Sequence, residues 1–241
     1  MIGSRVRQDK DPETIKHVEH GLFCLNLERA LAHLASRKTL SYDDFLRVHH
    51  LLFTDYYPWA GQDRAALLPD SAVSKGGVLF SHPYSARRAV EHALCLGQNK
   101  ATMTQKSGEV MGLFAFGHPF LDGNGRTMLL VHMELCHRAG FSIAWQHTNK
   151  DDYLGALTRE IETPGKGVLD EYMLRFKGPQ LARGTWGNAI LAIKGLNGMD
   201  EPNQIEESLS DPMVAEKYRQ HEASRGYSYR VSPPTSAKPG L

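Results

Sequence analysis

Hydrophobic residues recur every three or four positions along most of the first 176 residues, which is the spacing of one face of an α-helix. Helices are therefore predicted over residues 12–34, 41–52, 85–97, 104–117, 125–139, 149–162 and 168–176, with a shorter one near 186–193. Ser41 followed by Asp44 forms a partial capping box at the start of the second helix. The stretch 125–139 is apolar on nearly all sides, so it is expected to lie at the centre of a helical bundle.

Residues 71–80 break this helical pattern. Val73 and Val78 lie on either side of Lys75-Gly76-Gly77, and glycines at such a position suit the tight turn of a β-hairpin. A two-stranded hairpin is only marginally stable alone. This one is expected to be stabilised by packing on the helices, or by pairing with an extended peptide along its exposed edge.

The densest group of chemically useful residues lies between the fourth and fifth predicted helices. It reads His118-Pro119-Phe120-Leu121-Asp122-Gly123-Asn124-Gly125-Arg126. Gly123 and Gly125 can adopt positive φ angles and allow a ligand close to the backbone. Asp122 or Asn124 can cap the following helix, whose free N–H groups and partial positive charge favour an anion such as phosphate. The sequence therefore predicts a phosphate-binding turn.

Three side chains of this turn indicate phosphoryl or nucleotidyl transfer to a hydroxyl group. Arg126 presents a planar donor group that matches phosphate oxygens. Asp122 is a hard oxygen ligand of the kind that binds Mg²⁺ shared with phosphates. His118 titrates near pH ~6.5 when unperturbed, so it can accept a proton from a hydroxyl at neutral pH. Pro119 is expected to hold His118 in extended geometry.

Composition and charge argue against several classes of protein. The 28 lysines and arginines nearly balance the 27 aspartates and glutamates, so neither nucleic acid nor a membrane is expected as a partner. No run of about 18 apolar residues predicts a transmembrane helix, and the first residues lack the apolar core of a signal peptide. The three cysteines are far apart and are expected to be reduced thiols. A cytoplasmic location is expected, with export by a route that needs no N-terminal signal left open.

The sequence resembles the Fic family at three places. Residues 118–126 match its HPFx[D/E]GNGR signature in full, residues 57–61 with Arg64 resemble its YPWAG…R segment, and residues 73–80 resemble its hairpin flap. The resemblance covers about residues 12–176. It implies an all-α, Fic-type helical bundle with a small β-hairpin flap. The implied activity is that of a protein adenylyltransferase, which transfers AMP from ATP to a Ser, Thr or Tyr hydroxyl of a target protein.

The resemblance also implies roles for individual residues. His118 is expected to be the general base and Asp122 the ligand of Mg²⁺. The expected nucleotide-binding residues are Lys75, Gly76, Phe120, Gly123, Asn124, Gly125, Arg126 and Tyr153. The flap residues expected to hold the target segment are Val73, Ser74 and Val78. Arg64 is expected to pair with a carboxylate that braces the site, and the aromatic residues at 57–59 are expected to close a corner of the core.

Two positions depart from the family pattern. Many Fic enzymes carry a second arginine, assigned to the terminal phosphate of ATP, where this chain has Leu129. The inhibitory motif [S/T]xxxE[G/N] has no full match, because Thr163 follows the pair Thr158 and Glu162. Self-inhibition of the usual kind is therefore not expected. Restraint is expected instead from a separate antitoxin-like protein or from location in the cell.

Two alternatives are left open by these departures. In the first, the same site transfers UMP, GMP or phosphocholine, removes AMP, or acts as a kinase. In the second, the chain is a non-catalytic interaction protein on a Fic scaffold. The intact motif argues against the second alternative.

The chain is expected to divide into three parts. Residues 1–11 are expected to be a flexible N-terminus, and residues 12–178 the Fic domain. After residue 178 the composition changes, and from about Asn197 polar residues and proline dominate. Residues 179–241 are therefore expected to be a partly disordered C-terminal extension, which is either a solvated linker or a docking or secretion segment.

Overall fold

The computed structural model of the protein describes residues 12–196 and 204–224. The helices are α1 Pro12–Ser36, α2 Tyr42–Phe53, α3 Arg64–Leu67, α4 Pro83–Gln98, α5 Lys100–Gln105, α6 Ser107–Gly117, α7 Asn124–Ala139, α8 Lys150–Glu162, α9 Val168–Leu174, α10 Trp186–Leu191 and α11 Pro212–Ser224. The strands are β1 Ser71–Lys75, β2 Val78–Leu79, β3 Phe141–Ile143, β4 Lys177–Pro179 and β5 Gln204–Ser208. The prediction of an all-α fold with a small hairpin is confirmed. The expectations for residues 1–11 and 225–241 lie outside the described residues.

Helix α7 lies at the centre of the bundle, as its apolar sequence predicts. It packs against α1, α2, α4, α5 and α6, and Leu130 and Leu135 on it are fully buried. The apolar face of α2, which includes Phe45 and Leu52, closes on the same core. Burial of each such side chain contributes roughly 1.5–3 kcal/mol relative to exposure. The core therefore holds α7 as a rigid platform for the turn at its N-terminus.

Several helix ends follow from local cap chemistry. The capping box at Ser41 is complete, since Asp44 N–H donates to Ser41 Oγ at 3.3 Å and Ser41 N–H donates to Asp44 Oδ2 at 2.9 Å. Gly140, with φ of 92°, ends α7. The prediction of one helix over 104–117 is wrong at its start. Lys106, with φ of −127°, separates the short α5 from α6.

The predicted flap hairpin is present. Strands β1 and β2 pair antiparallel with Lys75 opposite Val78, and the intervening Gly76 and Gly77 have φ of 55° and 80°. A third strand, which the sequence analysis did not predict, pairs with the other edge of β1. The sheet order is β2-β1-β5, so β1 is the central strand.

Residues after 178 contribute to the folded unit. Trp186 and Ile190 of α10 are buried in the main core, and Arg183 forms an ion pair with the fully buried Glu134 of α7. The polar linker expected from about Asn197 does not describe residues 204–224, which form β5 and α11. The domain boundary at 178 stays a prediction.

No helix in residues 12–196 and 204–224 has both the length and the apolar character needed to cross a lipid bilayer.

Candidate active site

His118 ends α6 in a left-handed backbone conformation, with φ of 40° and ψ of 55°. The expectation of extended geometry at this residue is wrong. A non-glycine residue in this region costs roughly 1–2 kcal/mol, and such strain concentrates at functional sites. The imidazole stacks flat on the ring of Phe80, with the ring centroids 3.6 Å apart and the planes 3° apart. The flap therefore holds one face of the histidine.

Arg64 holds the backbone around His118. The residue is fully buried, and its Nε donates to the carbonyl of His118 at 2.7 Å. Its Nη2 donates to the carbonyls of Ser81 at 2.9 Å and Gly117 at 3.3 Å. The expectation of a carboxylate partner is wrong, because these bonds go to main-chain carbonyls, and those of Gly117 and His118 are at the C-terminus of α6. That helix end carries partial negative charge and suits a cation. Burial lowers the pKa of Arg64 to about 10, so it stays charged at neutral pH.

His49 of α2 contacts the motif turn, although nothing in the sequence predicted a place for it in the site. The N–H of Gly61 donates to its Nδ1 at 2.9 Å, so Nε2 carries the proton and donates to the carbonyl of Asp122 at 3.0 Å. Its ring stacks on Phe120, with centroids 3.7 Å apart. Burial lowers the pKa of His49 to about 3, which keeps the ring neutral. His49 thus joins the aromatic corner to the motif turn. Nothing in its spacing pointed to a partner 73 positions away.

Asn124 closes the motif turn and does not cap α7. Its Oδ1 accepts from the N–H of Phe120 at 2.9 Å, and its Nδ2 donates to the carbonyl of the same residue at 2.7 Å. Gly123, with φ of 75°, is the N-cap residue, and among the described residues no side chain caps α7. The expectation that Asp122 or Asn124 caps this helix is wrong. The consequence is that the first N–H groups of α7 are left for another acceptor.

Asp122 is an exposed carboxylate held by two neutral donors. The hydroxyl of Tyr57 donates to its Oδ2 at 3.1 Å, and the N–H of Gly123 donates to its Oδ1 at 2.6 Å. Each oxygen keeps a further lone pair for a cation. Residues 12–196 and 204–224 hold no cluster of three or more metal-ligating side chains. Asp122 therefore fits a Mg²⁺ ion completed by phosphate and water, and does not fit a site built from protein ligands alone.

Arg126 does not line the cavity beside His118. It forms a buried ion pair with Glu19 of α1, and only 6% of each side chain is exposed. Its guanidinium lies over the rings of Phe53 at 4.6 Å and Phe23 at 5.5 Å. Successive helical residues rotate by about 100°, so Arg126 points to a different side of α7 from its neighbours. Its expected contact with phosphate has no support in this placement.

A cavity of about 620 Å³ opens beside His118. Of the residues predicted for the site, those that line it are Lys75, Gly76, Val78, His118, Asn124, Gly125 and Tyr153. The predicted residues outside its lining are Val73, Ser74, Phe120, Asp122, Gly123 and Arg126. Pockets for small ligands commonly span 300–1,000 Å³ on an order-of-magnitude scale. The cavity thus has room for a nucleotide.

A mostly apolar wall of the cavity comes from three segments. Tyr153 meets Trp145 edge to face, with centroids 5.4 Å apart and planes at 87°. Leu154, Leu157 and Ile161 of α8 extend this wall, and residues 193–196 complete it. Nothing in the sequence predicted that Trp145 and residues 193–196 line the site. Their approach to α8 depends on the packing of segments distant in sequence. Aromatic faces of this kind suit a planar base.

Leu129 and Glu162 occupy the positions assigned to the phosphate-binding arginine and the inhibitory glutamate. Leu129 is buried and lines the cavity four residues after Gly125, on the same face of α7. Glu162 is exposed and does not line the cavity, whereas Thr158 does. The glutamate is therefore not placed to block the site.

Two flap residues predicted to hold the target are covered by the chain itself. Val73 is opposite Ile205 and Ser74 is opposite Gln204 in the β1–β5 pair, and Val73 and Ser74 are almost fully buried. Of the three predicted target-binding residues, only Val78 of β2 lies on the cavity wall. The edge of β1 is thus not open to a target segment while β5 is in place.

The chain is similar in sequence to a family model and to named proteins. Residues 39–136 match the model described as Fic/DOC family. The chain is 29% identical over 118 residues to the protein adenylyltransferase VbhT of Bartonella schoenbuchensis, covering 46% of this chain and 24% of VbhT. It is 26% identical over 131 residues to a protein of Sinorhizobium fredii named probable protein adenylyltransferase y4lH, covering 51% of this chain and 66% of that protein. The chain thus spans about a quarter of the first relative and about two thirds of the second.

Two solved structures share the fold. One is the BepC protein of Bartonella tribocorum with bound AMPPNP, with a TM-score of 0.58 and 17% identity over 72% of this chain and 90% of that chain. The other is the N-terminal Fic domain of a VirB-translocated Bep effector protein of Bartonella quintana with bound ADP. Its TM-score is 0.57, with 18% identity over 77% of this chain and 92% of that chain.

Proposed function

Because residues 39–136 match the Fic/DOC family model, we propose that this protein is a protein adenylyltransferase, which transfers AMP from ATP to a Ser, Thr or Tyr hydroxyl of a target protein. The observation that carries the proposal is the position of His118 on the wall of a nucleotide-sized cavity, beside the uncapped start of α7. Two relatives named as adenylyltransferases, and two proteins of the same fold that hold AMPPNP or ADP, support it.

The proposed reaction is an attack by the target hydroxyl on the α-phosphate. His118 takes the hydroxyl proton as the new O–P bond forms, and the bond to the pyrophosphate oxygen breaks, so pyrophosphate leaves. The backbone N–H groups of Asn124 and Gly125 at the start of α7 bind the phosphates and the charge that builds in the transition state. Mg²⁺ held by Asp122 would neutralise phosphate charge. Phe80 and Arg64 fix the imidazole and its backbone.

The base is proposed to bind at the aromatic end of the cavity, against Tyr153 and Trp145. Lys75 of the flap, Lys150 of α8 and Lys194 also line the cavity and bring positive charge to its rim. Arg126 has a supporting role in this proposal, because its ion pair with Glu19 ties the motif helix to α1.

A second donor is favoured by one observation. The cavity wall carries the apolar Leu129 where the family pattern has a second arginine. A charged hydrogen bond to the terminal phosphate contributes about 1.5–3 kcal/mol, or roughly 10- to 150-fold in affinity. CDP-choline has no terminal phosphate and would lose nothing from its absence, whereas UTP and GTP would lose as much as ATP. The variant Leu129→Arg is expected to lower the KM for ATP by about this factor if ATP is the donor.

The test is a comparison of labelled donors. Wild type and His118→Ala are incubated with cell lysate and, in parallel, ATP, UTP, GTP or CDP-choline labelled in the transferred group, and the modified residue is identified by mass. General base catalysis typically contributes about 10²–10⁴ in rate, so His118→Ala is expected to lose at least that much. His17→Ala, at an exposed histidine of α1, is the matched control. Full labelling by His118→Ala would contradict the proposal. Binding of nucleotide without transfer from any donor would favour a scaffold role.

Restraint of this activity is proposed to come from outside the chain. The exposed position of Glu162 supports this, and Glu162→Ala is expected to leave the rate of label transfer unchanged. A gain in rate would indicate an internal inhibitor. The target protein, an antitoxin-like partner and the location in the cell stay predictions.

A further inference from the structure

The flap hairpin is too small to be stable without further contacts. Strand β2 has two residues, and its register with β1 covers only Ser74–Leu79 and Lys75–Val78. Isolated two-stranded hairpins are marginally stable in water. Strand β1 nevertheless has fully buried residues at its centre, such as Ala72 and Val73. Buried backbone groups need hydrogen-bond partners, so β1 depends on a second neighbour.

That neighbour is β5. It pairs antiparallel with β1 from Ser71 opposite Ser208 to Ser74 opposite Gln204, with an irregular register between Ser71 and Val73. The N–H of Leu209 extends this pairing by donating to the carbonyl of Asp70 at 3.0 Å. More of β1 is thus paired with β5 than with β2.

Helix α11 fixes β5 to the flap. Val214 and Tyr218 of α11 are buried against Ala72 of β1, in a small cluster that Leu79 and Leu209 join. This cluster is separate from the main core and includes residues of both flap strands. Helix α11 and strand β5 therefore both contact the hairpin.

Helix α11 also contacts residues that adjoin the flap and the turn that carries His118. Tyr218 meets His82 edge to face, with ring centroids 5.5 Å apart, and His221 stacks on Phe116 at 6.4 Å. The carbonyl of Phe116 accepts the N–H of Ser81, which follows the flap, at 2.8 Å. One C-terminal segment thus contacts the flap and the end of α6 that leads into His118.

We infer that residues 204–224 form a clamp that positions the flap for the transfer reaction. The cavity lies on the β2 side, since Val78 and Phe80 line it and Val73 and Ser74 do not. The other edge of β1 is occupied by the clamp. The target segment that the family resemblance places on the flap would then lie on the β2 side, which β5 does not occupy. The catalytic half of this inference rests on the proposed function.

The test uses two substitutions of one residue in the full chain. Ile205 is opposite Val73, and the residue is 62% exposed. Ile205→Ala keeps the backbone N–H and is expected to behave as wild type. Ile205→Pro removes that N–H and restricts the backbone, which disrupts a β-ladder. Tyr218→Ala tests the contribution of α11 independently of β5. Its control is Tyr218→Phe, which keeps the ring and is expected to behave as wild type.

The first readout is amide hydrogen exchange of residues 71–80, which needs no enzymatic activity. Exchange there is expected to accelerate at least about tenfold in Ile205→Pro and Tyr218→Ala, while α7 keeps its protection, as expected for local opening. The second readout is label transfer to the target. The KM for the target protein is expected to rise about tenfold, and by a larger factor than the Kd for nucleotide, because Lys75 and Gly76 are the only predicted nucleotide-binding residues that lie on the flap.

Two results would overturn the clamp. One is a higher rate of label transfer in Ile205→Pro, since it would make β5 a cover that competes with the target. The other is unchanged exchange of the flap in both Ile205→Pro and Tyr218→Ala. If exchange accelerates as expected but even the wild type transfers no label, the clamp stands and the proposed function fails.

Discussion

The buried pair of Arg126 and Glu19 gives the sharpest test of how the motif works. Arg126 belongs to the signature and was expected to bind phosphate, but its guanidinium lies between two phenylalanine rings and pairs with α1. Its Nη1 atom is buried and has no hydrogen-bond partner among the described residues. The pair therefore predicts a structural role, which separates stability from nucleotide binding.

The magnitude follows from the burial of both side chains, each 6% exposed. Glu19→Ala leaves a buried guanidinium without its counter-charge, and breaking such a pair typically costs about 3–5 kcal/mol. For a chain of this size each kcal/mol lowers Tm by about 2–4 °C, so a fall of roughly 6–20 °C is expected. The double variant Glu19→Met with Arg126→Met removes both charges and keeps apolar contact with Phe23 and Phe53. It is expected to recover most of the loss, because replacing a buried pair by apolar side chains is often neutral.

Thermal denaturation measures the change in stability, and titration calorimetry measures the Kd for ATP. The double variant is expected to bind ATP with a Kd within about threefold of wild type, well below the roughly tenfold loss that a missing charged hydrogen bond produces. A double variant with wild-type Tm whose ATP affinity falls tenfold or more would refute this reasoning. That result would return Arg126 to the phosphate site.

Three further predictions concern the motif and its support. Gly123→Ala strains a residue at φ of 75° and brings a Cβ within 2.5 Å of Phe53, whereas a Cβ at Gly125 meets nothing within 4 Å. Gly123→Ala is therefore expected to lower the free energy of unfolding by more than about 2 kcal/mol in urea titrations, while Gly125→Ala keeps stability and loses ATP affinity. Arg64→Met removes the guanidinium donors from the carbonyls of His118 and Ser81, while Gly117 keeps the hydroxyl of Ser81 as a donor, and it is expected to lower kcat more than it raises the Kd for ATP. The lowered pKa of His49, about 3 against 6.5, means that protons bind preferentially to the unfolded chain. Its contribution is fully present above pH 6.5 and is lost as pH falls towards 3, by about 2 kcal/mol between pH 7 and pH 5. His49→Gln is expected to flatten that slope in urea titrations across this range. An equally steep slope in the variant would show that other groups cause it.

Much of the fold follows from residues close together in sequence. The capping box at Ser41, the glycine pair of the flap turn and the left-handed Gly140 each act within about four residues, where cap and turn rules apply directly. The apolar residues on nearly all sides of the stretch 125–139 likewise predicted the central position of α7. The motif turn was located for the same reason, since its nine residues are contiguous.

Tertiary structure decided which way the side chains of that turn point and what they meet. Arg126 pairs with a residue 107 positions away, and His49 meets Asp122 across 73 positions. The pairing of β1 with β5 joins segments about 130 residues apart, and the polar sequence of β5 carries no apolar alternation that predicts it. Such partners depend on which helix faces pack together. The amino-acid sequence by itself therefore determined where the helices and the reactive turn lie, whereas packing of the distant α1, β5 and α11 determined which residues of the turn face the cavity and which edge of the flap stays open.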